Sequence, residues 1–229
     1  MIYSVHQPQY IPWLGFFDKI EKSDCFVFLD DVDYKHREYQ NRNKIRAKDG
    51  WIWLTVPVVN QRGEKIREVR IDNSRDWRAR HLKSLKSWYA RAEYFDRYFP
   101  FFESLYGKDW TLLAELNIEI VMFALKCLGI DRPIYFESKL NAGGRKTERI
   151  INIGRSLGAD AYLSGAGGRD YLDEDSFSEN KIELRYQDFR HPVYRQQFSS
   201  GKEDFMPYMS VVDLLFNEGA NSLKVIKGE

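Results

Sequence analysis

The chain opens with two different hydrophobic periods in quick succession. Ile2 to Val5 is a short β-branched and aromatic run that stops at His6, the pattern of a strand over 2–6. Pro8, Pro12 and Gly15 then force a loop. Leu14, Phe17 and Ile20 recur at helical spacing, with the Lys19 stem on the same side, and predict a helix over 13–21. Cys25 to Leu29 is a continuous apolar run ending in Asp30 and Asp31, which is how a buried parallel strand with acids at its exit reads. Strand, helix and strand within about thirty residues resemble a βαβ unit.

The next segment, 33–50, is polar and predicts a long loop with some helix. Segments 51–58 and 66–72 predict a hairpin, or two edge strands of a mixed sheet, with 60–65 as the turn. Helices are predicted over 76–88, with a stripe of Trp77, His81, Leu85 and Trp88, and over 94–106, interrupted by Pro100. The most regular helix covers 110–128 and is capped by Gly129. Beyond it, the pattern gives a strand at 133–137, a helix at 145–157 ended by Gly158, and a strand at 161–164 that runs into Gly165-Ala-Gly167-Gly168-Arg169. A strand at 182–186 follows, then a helix at 210–216 capped by Ser210 with Asp213 one turn inside. The expected architecture is one α/β domain over 1–229, with a mainly parallel sheet, flanking helices and a helical insertion or cover layer at 76–128. No repeat or interdomain linker interrupts it.

Composition narrows the partners. The 229 residues are 43% hydrophobic and 30% charged, which describes a globular chain rather than a disordered one. A net charge of +1 gives no global field for DNA or a membrane surface, although Lys35 to Lys48 is locally basic. Cys25 and Cys127 lie in apolar settings without zinc or disulfide spacing, so both are expected to be free thiols. No basic segment with an apolar signal core starts the chain and no apolar run reaches spanning length, so a cytoplasmic location is expected.

The candidate chemistry falls into clusters. His6, Gln7 and Tyr10 stand where a strand ends, the place at which α/β sheets bind ligands, and His6 could contact phosphate or move a proton. A histidine that merely closes the strand end is the plainer alternative. Asp30, Asp31 and Asp33 could bind a metal or a ribose hydroxyl, or supply a general base with Asp30 as the catalytic candidate, against the alternative of helix capping or a solvated turn. Asn41, Arg42, Asn43 and Lys44 combine planar amides with a bidentate fork suited to phosphate or carboxylate, against the alternative of a solvated basic loop. His81 is a second candidate acid/base, with core packing as the competing role. Gly165, Gly167 and Gly168 could cradle phosphate through backbone N–H groups, although they match no full nucleotide fingerprint.

The stretches His6-Gln-Pro-Gln-Tyr-Ile-Pro-Trp-Leu-Gly-Phe-Phe-Asp-Lys19, Leu29 to Asp31, Gln40 to Lys44, Trp53 to Pro57, His81, Tyr162 to Gly165, Tyr171 to Asp173, His191 to Tyr194 and Ser210 to Asn217 together resemble the WbqC-like family of bacterial proteins. That family is associated with gene clusters for surface polysaccharide (O-antigen). The resemblance implies a step on a sugar nucleotide, such as transfer of an acyl or aminoacyl group to an amino sugar. The sequence identifies no cofactor; a nucleotide such as ATP with a divalent metal is the candidate considered. The opening also resembles nucleotidylyltransferase-type folds, except that Trp13-Leu-Gly15 replaces the second histidine expected there. The competing readings are a non-catalytic nucleotide-sugar binding or assembly protein, and a single-strand nucleic-acid binder.

Overall fold

The computed structural model describes residues 1–199 and 201–229. Strand β1 (Ile2–His6) turns Tyr3 and Val5 to one face of a sheet and Ser4 and His6 to the other, as the two-residue period requires. Helix α1 (Leu14–Glu21) packs Leu14, Phe16, Phe17 and Ile20 against Phe26 and Phe28 of β2 (Cys25–Phe28). The chain then runs through β3 (Arg42–Ala47), β4 (Gly50–Thr55), β5 (Val58–Val59), β6 (Arg70–Ile71), α2 (Trp77–Tyr89), α3 (Phe95–Gly107) and α4 (Leu113–Leu128). It closes with β7 (Ile134–Phe136), α5 (Lys146–Leu157), β8 (Ala161–Ser164), α6 (Glu174–Glu179), β9 (Glu183–Tyr186), α7 (Val211–Glu218) and α8 (Ser222–Lys227).

The central sheet has the order β7-β2-β1-β8-β9, and every neighbouring pair is parallel. The path leaves β1 toward β2 and β7, then returns to β8 and β9 on the other side. The winding therefore reverses between β1 and β8, the switch point at which doubly wound sheets open a crevice past their carboxyl ends. Helices α1 to α4 and α7 share a large core that includes Phe26 and Phe28. Helices α5 and α6 cover the opposite face through Ile150, Ile151, Ile153 and Phe177, against Tyr3, Val27 and Tyr162. Among the described residues, no helix is long and apolar enough to cross a membrane.

Several expectations change. Segment 42–47, expected within a loop, is strand β3 and pairs antiparallel with β4. The alternation holds over its first residues, with Asn43 and Ile45 buried and Arg42 and Lys44 half-exposed, but the buried polar residues Asn43 and Arg46 hide the pattern. The expected partner of 51–58 shrinks to the short β5–β6 pair, because 66–68 turns as a 3-10 helix. Pro100 lies inside α3 instead of breaking it, held by the packing of Phe95, Phe99 and Phe102. Helices α6 and α8 were not expected.

Candidate functional site

Past the carboxyl ends of β1, β2 and β8 lies a cavity of about 900 Å³. His6 and Gln7 form its floor, and Ser164, Gly165, Gly167 and Gly168 form one wall. The start of α5 brings Arg145, Lys146 and Arg149, and the chain beyond β2 brings Asp33 and Lys35. Lys19 and Lys65 complete six Lys and Arg side chains against the single carboxylate of Asp33. A chain of net charge +1 thus concentrates positive charge in one hollow.

Local structure explains how these groups are aimed. The loop after β1 is held from inside the protein by buried amides: Asn43 donates to the Ile11 carbonyl at 2.8 Å, and Asn117 donates to the Gln40 carbonyl at 2.8 Å. Ile11 sits at φ 37°, a strained position for a β-branched residue, between Tyr10 and Pro12. Gln7 accepts from Gln40 at 2.7 Å, and Gln40 accepts from the Lys35 backbone N–H at 3.0 Å, so the two sides of the cavity are coupled. The His6 ring lies edge-on to Phe16 with its Nδ1 at 3.1 Å from the Gln7 carbonyl. Burial, reinforced by the Lys19 ammonium, lowers its pKa to about 3. The imidazole is therefore neutral near pH 7 and available as a hydrogen-bond partner rather than as a charge.

The α5 entry is the other built element. Gly143 (φ 58°) and Gly144 (φ 83°) precede Lys146, which itself takes the left-handed region at φ 50°. A Cβ on Gly144 would approach the Arg149 backbone N to 3.1 Å, so glycine is required there. Arg149 is fixed by Glu137 at 2.7 Å and by the carbonyl of Asp31 at 3.0 Å. Lys65 pairs with Asp33 at 2.7 Å. Among the described residues, Lys19, Lys35, Arg145 and Lys146 have no carboxylate partner. Across the cavity, a Cβ on Gly168 would meet the Ser164 oxygen at 2.0 Å, whereas Gly165 and Gly167 face open space.

The cavity gathers His6, Gln7, Gly165, Gly167 and Gly168 but not the other residues expected beside them. Arg42 and Asn41 line a separate hollow of about 250 Å³ with Arg37, Arg75 and Tyr34, so His6 and Arg42 do not share a pocket. The Arg42 guanidinium stacks on Trp53 at 4.4 Å and the Lys44 ammonium lies 4.2 Å from the Trp51 ring, because both project from the outer face of β3. Asn41 donates to the Val56 carbonyl at 2.9 Å, and Asn43 is buried in the clamp described above. Tyr10 is buried, bonding His81 Nδ1 at 2.7 Å and the Tyr106 hydroxyl, and His81 Nε2 lies 3.2 Å from the Thr55 carbonyl. Asp30 accepts from the Ser138 N–H at 2.9 Å and from its hydroxyl at 2.6 Å, while Asp31 pairs with Arg67 at 2.7 Å. The two acids thus serve different protein donors and do not converge on one ion. Among the described residues, no group of three His, Cys, Asp or Glu side chains is arranged to hold a metal.

The buried His81 carries a testable pH dependence. Burial depresses its folded pKa to about 4 from the usual 6.5. The unfolded chain binds the extra proton first, so stability is full above pH 6.5 and falls as pH drops toward 4. Going from pH 7 to pH 5 is expected to remove about 2 kcal/mol through this residue. His81→Gln should lose less stability than wild type over that interval in urea titrations. Equal losses in the two proteins would count against a buried neutral imidazole.

Arg145, Lys146, Arg149, Lys19, Lys35 and Lys65 were not among the expected site residues, whereas Asp33, weighed with Asp30 and Asp31, does line the cavity. The signal for the first two was present: a glycine pair, two basic residues and a hydroxyl (Gly143-Gly144-Arg145-Lys146-Thr147) open a helix after a strand. Lys19 and Lys35 carry no such signature, because only the fold brings them to the strand ends.

No solved structure matches the chain significantly. A Mycobacterium tuberculosis (strain ATCC 25618 / H37Rv) protein named Uncharacterized protein Rv1507c is 34% identical over 223 residues, covering 96% of this chain and 94% of the relative. The WbqC-like protein family matches residues 7–225, a span that includes the loop after β1, the α5 entry and the Ser164–Gly168 wall. The chain belongs to the WbqC-like protein family.

Proposed function

We propose that the cavity binds a phosphorylated small molecule of the nucleotide or nucleotide-sugar class. We propose further that the protein is a transferase of surface-glycan precursor synthesis, moving an acyl or aminoacyl group onto an amino-sugar nucleotide. The observation that carries the first part is the set of six Lys and Arg side chains around the switch-point cavity, against one carboxylate. A pocket of this size suits a ligand larger than a free phosphate. In this reading Arg145, Lys146 and the Gly165–Gly168 backbone contact phosphate. Neutral His6, with Gln7 beside it, orients the amine of the acceptor through a hydrogen bond. A nucleotide such as ATP, with a divalent metal carried on its phosphates, would supply activation. The transfer chemistry itself rests on the resemblance to polysaccharide-cluster proteins.

A non-catalytic nucleotide-sugar binder would use the same cavity and differ only in giving no product. The single-strand nucleic-acid reading now centres on another surface, the face of β3 and β4 where Arg42 and Lys44 meet Trp53 and Trp51.

Calorimetric titration tests the binding claim. UDP is expected to bind at least ~100-fold more tightly than uridine, and more weakly as salt is raised, since the phosphates supply the attraction. Equal affinity for UDP and uridine would contradict the claim.

A further inference from the structure

Lys19 is only 4% exposed, yet it belongs to the cavity wall. It lies on α1, which packs on the sheet face that carries Phe26 and Phe28, and its Nζ donates to the Val5 carbonyl at 2.9 Å. Pairing between β1 and β8 ends at Ser4, so this carbonyl lies where the two strands part. Among the described residues, that leaves two of the three donors of an ammonium without a protein partner. No carboxylate within ion-pair distance serves it among the described residues. Its neighbour Asp18 points instead to Lys22 at 2.9 Å and to Gln187 at 2.6 Å. Asp33 and Glu137 are taken by Lys65 and Arg149. Around the same cavity, His6 comes from β1 and Tyr162 from β8, Asp33, Lys35 and Lys65 from the loops opposite, and Arg145, Lys146 and Arg149 from the α5 entry. The only acid in that set is already paired.

A buried charge is retained when something compensates it. Here the chain supplies one carbonyl and an opening toward a cationic hollow. We propose that Lys19 is the counter-charge reserved for the anion of the bound ligand, and that ligand binding brings a proton to its amine. The inference rests on the reading that the cavity takes a phosphorylated ligand. Burial alone lowers the pKa of Lys19 to about 7, so near and above neutral pH much of the empty protein carries the amine uncharged. A phosphate brought beside it stabilises the ammonium and raises that pKa. The proton comes from the buffer and lands on the Nζ lone pair, with no covalent bond to the ligand. Anion binding at Lys19 is therefore linked to proton uptake above about pH 7.

The test is calorimetry of UDP binding to the whole protein at pH 8, in buffers of unlike ionisation heat. At that pH free UDP is already fully ionised at its phosphates, so it takes up little itself. Wild type is expected to take up more than half a proton per UDP at pH 8, falling toward zero at pH 6. Lys19→Met is expected to lose the uptake and at least ~10-fold in affinity, since a charge-assisted contact disappears. Should Lys19→Met fail to fold, the wild-type pH profile beside Lys146→Met decides, because Lys146→Met is expected to bind more weakly while keeping the uptake. UDP binding without proton uptake at pH 8, or uptake that survives in Lys19→Met, overturns this inference and leaves the cavity reading standing. No heat with millimolar UDP overturns both.

Discussion

Replacing Asp213 with alanine is expected to destabilise the protein by about 4 kcal/mol, near the upper end for a single substitution. The carboxylate is fully buried in α7 and accepts from the Tyr89 hydroxyl at 2.8 Å, the Tyr194 hydroxyl at 2.7 Å and the Gln196 side chain at 2.7 Å. Those three donors come from α2, from the chain beyond β9 and from the segment just after it, so one side chain ties distant parts together. Alanine would leave all three unpaired in the interior, each costing roughly 1–3 kcal/mol, partly recovered by relaxation. Asp213→Asn keeps one acceptor oxygen but aims an amide at a donor, and should lose about 1–2 kcal/mol. Urea unfolding measures both. An Asp213→Ala protein within 1 kcal/mol of wild type would mean the network contributes little.

The largest expected effect on binding is that of Arg145→Glu combined with Lys146→Glu. Both side chains are exposed at the start of α5. Two negative charges at a helix N-terminus are favourable to the helix and relieve repulsion among the cavity cations. Stability should therefore hold or rise slightly. UDP affinity should fall at least ~100-fold, about 2.7 kcal/mol, because two attractive contacts become repulsive. The variant separates function from folding: a loss of binding in a stable protein supports the cavity, and unchanged binding removes α5 from the site.

Much of the scaffold is legible along the chain. Ile2 to His6, the helix after Pro12, and Cys25 to Phe28 announce a parallel βαβ opening, since each has a clean period and sharp punctuation. Helices α4 and α5 likewise end at Gly129 and Gly158, both in the left-handed region. Strand β3 was hidden because Asn43 and Arg46, two polar residues, are buried inside it. Their interior roles depend on partners far along the chain: the Ile11 carbonyl for Asn43, and Met206 for Arg46.

The site was half legible for the same reason. His6, Gln7 and the Gly165–Gly168 wall follow from strand ends, which local pattern locates. Arg42 does not join them, because β3 belongs to a separate antiparallel pair and turns its cations outward onto Trp51 and Trp53. Tyr10, expected in the loop after the first strand, and His81, expected on a helix stripe, satisfy each other in the interior. Lys19 and Asp213 show the opposite case. Each is a charged residue on a largely apolar helix, and only the assembled fold reveals that one faces a cavity and the other a ring of donors.

The direct test of the central claim is a crystal structure with UDP bound. Diphosphate density between the α5 entry and the carboxyl ends of β1 and β8, within contact distance of Arg145 or Lys146, is the result expected. Density in the Arg42 hollow, or on the face carrying Trp51 and Trp53, with the switch-point cavity left to solvent, would contradict it.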